Sequence, residues 1–244
     1  MKKIYLAVLA VMALTCYMRG PAYAMPSSQI WIPSTDIQPF GTVHLGVDNY
    51  TTFFKSRKDG GQMRPVDVGV TLGVFETDFL NAELGVDLRE ATDNPTYFNA
   101  KLGIKEDAFT KYFPSIAFGG YDFGTTSSVN DSNIVYLEAA KTLGSFGRLT
   151  AGYYVGNDKL LKNAKGQKEN DGILLSLDRT MAEISPKLWM AVDYMSGQNS
   201  YGKTSLGLSW RFSPHVSTLL GYCIHNEPKI SGENMVTIQL DLDF

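Results

Sequence analysis

The chain has 244 residues, 44% of them hydrophobic and 19% charged, with a formal net charge of −3. That is room for one large domain or two small ones, and it excludes both a disordered chain and a uniformly apolar one. An acidic balance speaks against nucleic acid as a partner.

Lys2 and Lys3 precede an apolar run from Ile4 to about Leu14, and Ala22-Tyr23-Ala24 forms a small-x-small cleavage site. This order predicts a secretory signal peptide over residues 1–24, removed on export. The apolar run is too short for a spanning helix, and Arg19 and Pro21 interrupt its flank. Cys16 is preceded by Ala13-Leu14-Thr15, which departs from the small residue that a lipid-anchored cysteine requires. Cleavage takes Lys2, Lys3 and Arg19 with it and leaves a more acidic chain. Of the two cysteines only Cys223 then remains, which predicts neither an internal disulfide nor a cysteine-based metal site.

From residue 42 onward one pattern repeats. Apolar and polar residues alternate over 42–53, 66–76, 80–90, 97–105, 115–123, 133–142, 147–156, 171–180, 187–195, 204–212, 216–225 and 235–244. Each of these twelve segments is near the roughly 9–11 residues of a tilted spanning strand, and no helical period competes. The connections alternate as well. Those over 54–65, 91–96, 124–132, 157–169, 196–203 and 226–234 are long and rich in Gly, Asn, Ser, Asp and Lys. Those over 77–79, 143–146 and 213–215 are short, with 106–114 and 181–186 as longer exceptions.

The two faces of each segment differ. Leu80, Ala82, Leu84, Val86 and Leu88 point one way, and Asn81, Glu83, Gly85, Asp87 and Arg89 the other. Leu206, Leu208, Trp210 and Phe212 oppose Ser205, Gly207, Ser209 and Arg211 in the same manner. A soluble barrel shows this alternation with its apolar face inward. Here the polar face mixes charges with glycine, which suits a filled or wet interior. Aromatic residues collect at the segment ends: Phe53, Tyr97, Phe98, Tyr121 and Phe123 by the long connections, and Phe79, Trp210, Phe212 and Phe244 by the short ones. Such belts suit rings that prefer the headgroup zone.

The last segment, Met235 to Phe244, alternates to its final residue, with Val236, Ile238, Leu240, Leu242 and Phe244 on one face. It resembles the closing strand of Gram-negative outer-membrane β-barrels, a porin-like class in which a terminal aromatic is read by the barrel-assembly machinery. The resemblance implies an all-β fold, an antiparallel up-and-down transmembrane barrel of about twelve strands over 41–244, in the cell outer membrane. It also implies long extracellular loops, short periplasmic turns, and Phe244 as the assembly signal. Residues 25–40 are then expected to form a periplasmic lead. Because hydrocarbon tolerates no unpaired sheet edge, 42–50 must pair antiparallel with 237–244.

The face assignment places Asp48, Asp67, Glu83, Asp87, Arg89, Lys101, Glu138, Arg148, Asp178, Asp193 and Arg211 on the lumen side, with His44, His225, Asp241 and Asp243. Interior glycines such as Gly73, Gly103, Gly207 and Gly221 leave room for long neighbours. Two functions fit. One is a narrow aqueous channel for passive diffusion of small solutes, its acid excess favouring cations or neutral solutes. The other is a structural or surface-interaction barrel plugged by interior salt bridges.

Lys55, Arg57 and Lys58 in one long loop and Lys159 and Lys162 in another are candidates for contact with lipopolysaccharide phosphates. A third reading, a barrel hydrolase, would use His215-Val216-Ser217, a His-x-Ser pair like that of outer-membrane phospholipases. This pair lies on the turn side, without the flanking Asn of that family. No phosphate loop and no cluster of metal-ligand spacing is present in the sequence, so neither cofactor nor metal is expected.

Overall fold

The computed structural model describes residues 27–52, 55, 59, 61, 66–89 and 92–244. The signal segment with Cys16, and Phe53, Arg57 and Lys58 of the first long loop, lie outside the described residues.

The alternating segments are twelve strands: β1 (Val43–Thr51), β2 (Asp67–Glu76), β3 (Leu80–Arg89), β4 (Thr96–Ile104), β5 (Ser115–Gly124), β6 (Ile134–Thr142), β7 (Arg148–Val155), β8 (Asp171–Thr180), β9 (Leu188–Met195), β10 (Lys203–Ser213), β11 (Val216–His225) and β12 (Met235–Asp243). Each pairs antiparallel with its neighbours in sequence, and β1 also pairs with β12, so the sheet closes into a barrel. The seam runs from His44↔Asp243 to Thr51↔Val236. Val43 and Phe244 finish it with backbone hydrogen bonds of 3.1 and 2.9 Å. Closure leaves no strand edge for lipid to desolvate.

The apolar face points outward. Leu84 and Leu208, midway along β3 and β10, are 53% and 52% exposed, and Val70, Leu137, Leu175 and Leu220 extend the same band. Outward leucines cost a water-soluble barrel free energy, whereas in lipid they are solvated. Two aromatics expected in the end belts are interior. Tyr97 follows the parity of Asp87, its register partner, and Phe98 that of the outside, since consecutive strand residues face opposite ways. Tyr121 shares the inward parity of Ser115, Ala117 and Gly119 and pairs with the buried Ile134.

A second departure concerns residues 27–40, expected in the periplasm. Residues 27–38 lie inside the barrel, whereas Phe40 is 66% exposed. Ile30, Ile32 and Ile37 are buried to 1%, 0% and 7% exposure. Leaving such side chains in water would forfeit about 1.5–3 kcal/mol each, which is the physical reason the segment goes in. The wall makes room with the glycines. A Cβ on Gly221 would lie 3.1 Å from Ile30, one on Gly103 would lie 2.7 Å from Ile37, and one on Gly73 would lie 1.9 Å from the Pro39 carbonyl oxygen. We call this segment the strap. It leaves the wall at Gly41, climbs from the end carrying the short turns, and folds back on itself. A bridge between Ser28 and Pro33 and a 2.8 Å bond from Gln29 N to Ile32 O close its tip.

Candidate functional site in the lumen

The strap is held mainly by wall side chains rather than by a backbone ladder. Asp193 Oδ2 accepts the N–H groups of Ile30, Trp31 and Ile32 at 2.8, 2.8 and 3.4 Å. Lys101 Nζ donates to the carbonyls of Ser27, Ser34 and Asp36 at 2.8, 3.2 and 2.6 Å, and pairs with Glu83 at 3.1 Å. Glu83 in turn accepts Gln38 N at 2.7 Å. Arg148 binds Asp36 of the strap at 2.6 Å and Asp178 of β8 at 3.1 Å. The ammonium of Lys203 lies 3.1 Å from the centre of the Trp31 ring. A charge buried in this way is tolerated only when it is paired and hydrogen-bonded, and the strap supplies most of those partners.

Two cavities lie beside the strap. The first, of about 200 Å³, is bounded by Ser28 and Trp31 of the strap and by Asp48, Asp67, Asp87 and Arg89 of the wall. The second, of about 180 Å³, lies nearer the short turns and is bounded by Gln29 and Asp36 of the strap and by Trp189, Arg211 and Ser217. Gln239 and Asp241 line both.

The residues assigned to the lumen from sequence therefore fall in three groups. Asp48, Asp67, Glu83, Asp87, Arg89 and Lys101 surround the first cavity. Arg211 stands at the second, donating to the Pro186 carbonyl at 2.9 Å. Arg148, Asp178 and Asp193 bind the strap and line neither of these two cavities, and Glu138, 1% exposed, has neither carboxylate oxygen hydrogen-bonded among the described residues. The cations of the first cavity are committed: Arg89 to Asp67 at 2.7 Å and Asp122 at 2.5 Å, Lys101 to Glu83, and His44 to Asp243 at 2.7 Å. Asp87 accepts Asn99 at 2.8 Å, and neither Asp87 nor Asp48 has an ion-pair partner among the described residues.

Sequence reasoning missed Asp122, whose parity in β5 puts it outside. Its φ of +56° and the bulge beside it turn the side chain inward, and it is 2% exposed. It also missed Gln239 and the strap, although the apolar run Ile30-Trp31-Ile32 signals burial in a segment otherwise free of periodicity. Tyr201, in the β9–β10 loop, donates its hydroxyl to Asp122. Burial, and then the Asp122 charge, push the Tyr201 phenol up, so it keeps its proton.

Long loops cover the far end. Leu161 of the β7–β8 loop packs with Ile134, Tyr154 and Met195 onto Ile32 of the strap. Asn199 ties two loops together by donating to the Glu169 carbonyl at 2.6 Å and the Tyr154 hydroxyl at 3.1 Å. Lys159 and Lys162 are exposed on the β7–β8 loop, and Lys55 pairs with Glu233 at 2.5 Å. His215 and Ser217 are not bonded to each other. Ser217 donates to Asp241 at 3.0 Å, and His215 Nδ1 faces the Asp243 carbonyl at 3.1 Å.

No protein-family model matches the sequence, and no curated protein matches it either. Solved structures do match in fold. The KdgM porin aligns with a TM-score of 0.52 at 10% identity, over 82% of this chain and 99% of its own. The NanC porin gives 0.52 at 10% identity, over 82% and 98%. The COG4313 outer membrane channel from Pseudomonas putida F1 gives 0.51 at 12% identity, over 86% and 98%. At these identities the likeness is one of fold: the chain is a closed twelve-stranded antiparallel β-barrel with an apolar exterior, similar in fold to these outer-membrane channels.

Proposed function

We propose that the barrel is a narrow porin-like channel for passive diffusion of small solutes. The observation that carries this reading is the pair of cavities lined by polar and charged side chains, one towards each end of the lumen, that share Gln239 and Asp241 in their linings. A barrel with a merely structural interior gains nothing from carboxylates left without cations, whereas Asp48 and Asp87 beside an aqueous path concentrate cations. Neutral solutes pass on size alone. Purified protein in planar bilayers is expected to give discrete conductance steps with cation preference, and a silent bilayer with folded barrel would falsify the reading.

One observation favours a second reading. The strap occupies the lumen and pairs with Asp193, Lys101 and Arg148, as a plugged, non-conducting barrel would require. The same bilayer record separates the two. In either case we propose that Lys159 and Lys162, exposed on the β7–β8 loop, contact lipopolysaccharide phosphates, and that the assembly machinery engages the terminal strand with Phe244.

A further inference from the structure

We propose that the strap, residues 27–38, is a gate: it separates the two lumen cavities when seated, and its withdrawal from the wall joins them into one path. The proposal rests on the channel reading and adds the element that controls it.

Three observations support a part that moves as a unit. First, the strap divides the space. Ser28 and Trp31 face the first cavity while Gln29 and Asp36 face the second. Gln239, which lines both, donates its amide to the Ile30 carbonyl at 2.8 Å. The tip of the strap is thus fastened to the residue at which the cavities meet, and displacing Ile30 removes the partition.

Second, the wall is complete without the strap. β1 pairs with β2 and with β12 along its length, so withdrawal leaves no strand edge unpaired. The strap is anchored at its tip through Asp193 and Gln239, and further down through Lys101 and Arg148. Water can take over each of these polar contacts in an opened lumen, which reduces the net free energy lost on breaking them.

Third, the apolar hold on the tip has two parts. Ile30 sits against Gly221 and Gly207, 3.1 Å from where a Cβ on either would lie, in a socket it can leave without rearranging the wall. Ile32 packs with Leu161 of the β7–β8 loop and with Ile134, Tyr154 and Met195, so withdrawal of the tip also parts it from the loop that covers the far end.

The test uses the full chain in two forms, both assayed for a folded barrel by heat-dependent gel mobility. In the first, Ile30→Cys is combined with Gly221→Cys in a Cys223→Ser background. The Ile30 methyl lies 3.1 Å from the position of a Gly221 Cβ, which puts a disulfide within reach. The second form releases the tip by Asp193→Asn with Gln239→Ala. Single-channel conductance is expected to fall to its lowest level when the cross-link is oxidised, to recover on reduction, and to rise severalfold in the release form. Wild-type protein that is silent while the release form conducts also supports the gate. Steps of the same size in wild type, oxidised and release forms overturn the gate and leave the channel standing. Silence in every folded form, including the release form, overturns the channel and the gate with it.

Discussion

Arg89 grips Asp122 with both terminal nitrogens, at 2.5 and 3.1 Å, from a strand two positions away in the wall. The grip spans the lumen side of β4, with Tyr97 lying flat beneath the guanidinium at 4.1 Å. Asp67 holds the remaining Nε at 2.7 Å. Asp122→Asn keeps the shape and suits the left-handed backbone, because Asn tolerates positive φ. The loss therefore reports the charge together with one acceptor, because the amide nitrogen cannot accept from Arg89 or Tyr201. It leaves Arg89 half-neutralised and partly buried, and is expected to destabilise the barrel by roughly 2–4 kcal/mol, measured as a shift in the urea unfolding transition followed by tryptophan fluorescence. No shift would mean that Asp67 alone suffices.

What the sequence made legible was whatever repeats with a short period. The parity of Leu84 and Leu208, the spacing of turns and the β1–β12 seam all follow from alternation, which is local, and the structure keeps them to within a few residues. Asp122 escaped because a bulge breaks parity for one residue. The strap escaped because its conformation follows the cavity that receives it, and periodicity says nothing of a segment that pairs through side chains. For the same reason alternation gives Asp193 and Arg148 a face, while their partners Ile30 and Asp36 were invisible. Pairing across the lumen joins residues far apart in sequence, for example Arg148 and Asp36, and no pattern along the chain encodes it.

The outward band makes a depth-dependent prediction. Leu208 is midway along β10 and faces lipid. Leu208→Arg is expected to cost about 2–4 kcal/mol, and Leu143→Arg, in the turn after β6, about 0–1 kcal/mol. Folding into lipid vesicles, titrated with urea, measures both. Equal costs at the two positions would contradict a hydrocarbon slab around the barrel.

The turn between β4 and β5 is expected to loosen in acid. Burial works against the Glu106 carboxylate, but the hydrogen bonds from Lys141 at 2.9 Å and from the Thr142 amide and hydroxyl at 3.0 and 2.8 Å outweigh it and hold the carboxyl below its usual range. A group depressed on folding contributes stability above its unfolded pKa, and that contribution is lost as pH falls through the folded value. Hydrogen exchange at the Thr142 amide should accelerate over that window. Glu106→Gln, which cannot ionise, should remove the extra acid dependence, and identical profiles for both proteins would refute the assignment.

Asp48 and Asp87 are expected to set the ion preference of the lumen because the cavity's cations already belong to other carboxylates. A unit charge about 8 Å from a permeating ion in water-like surroundings contributes about 0.5 kcal/mol, a factor of about two in local concentration. Asp48→Asn and Asp87→Asn should therefore each lower the cation-to-anion permeability ratio about twofold, read from the reversal potential in a KCl gradient. Glu138→Gln is the informative comparison. It alters a carboxyl that is 1% exposed and lines neither cavity, so its effect should be smaller. Equal shifts for all three would mean that net charge governs selectivity and that the ions do not pass through the space beside Asp48.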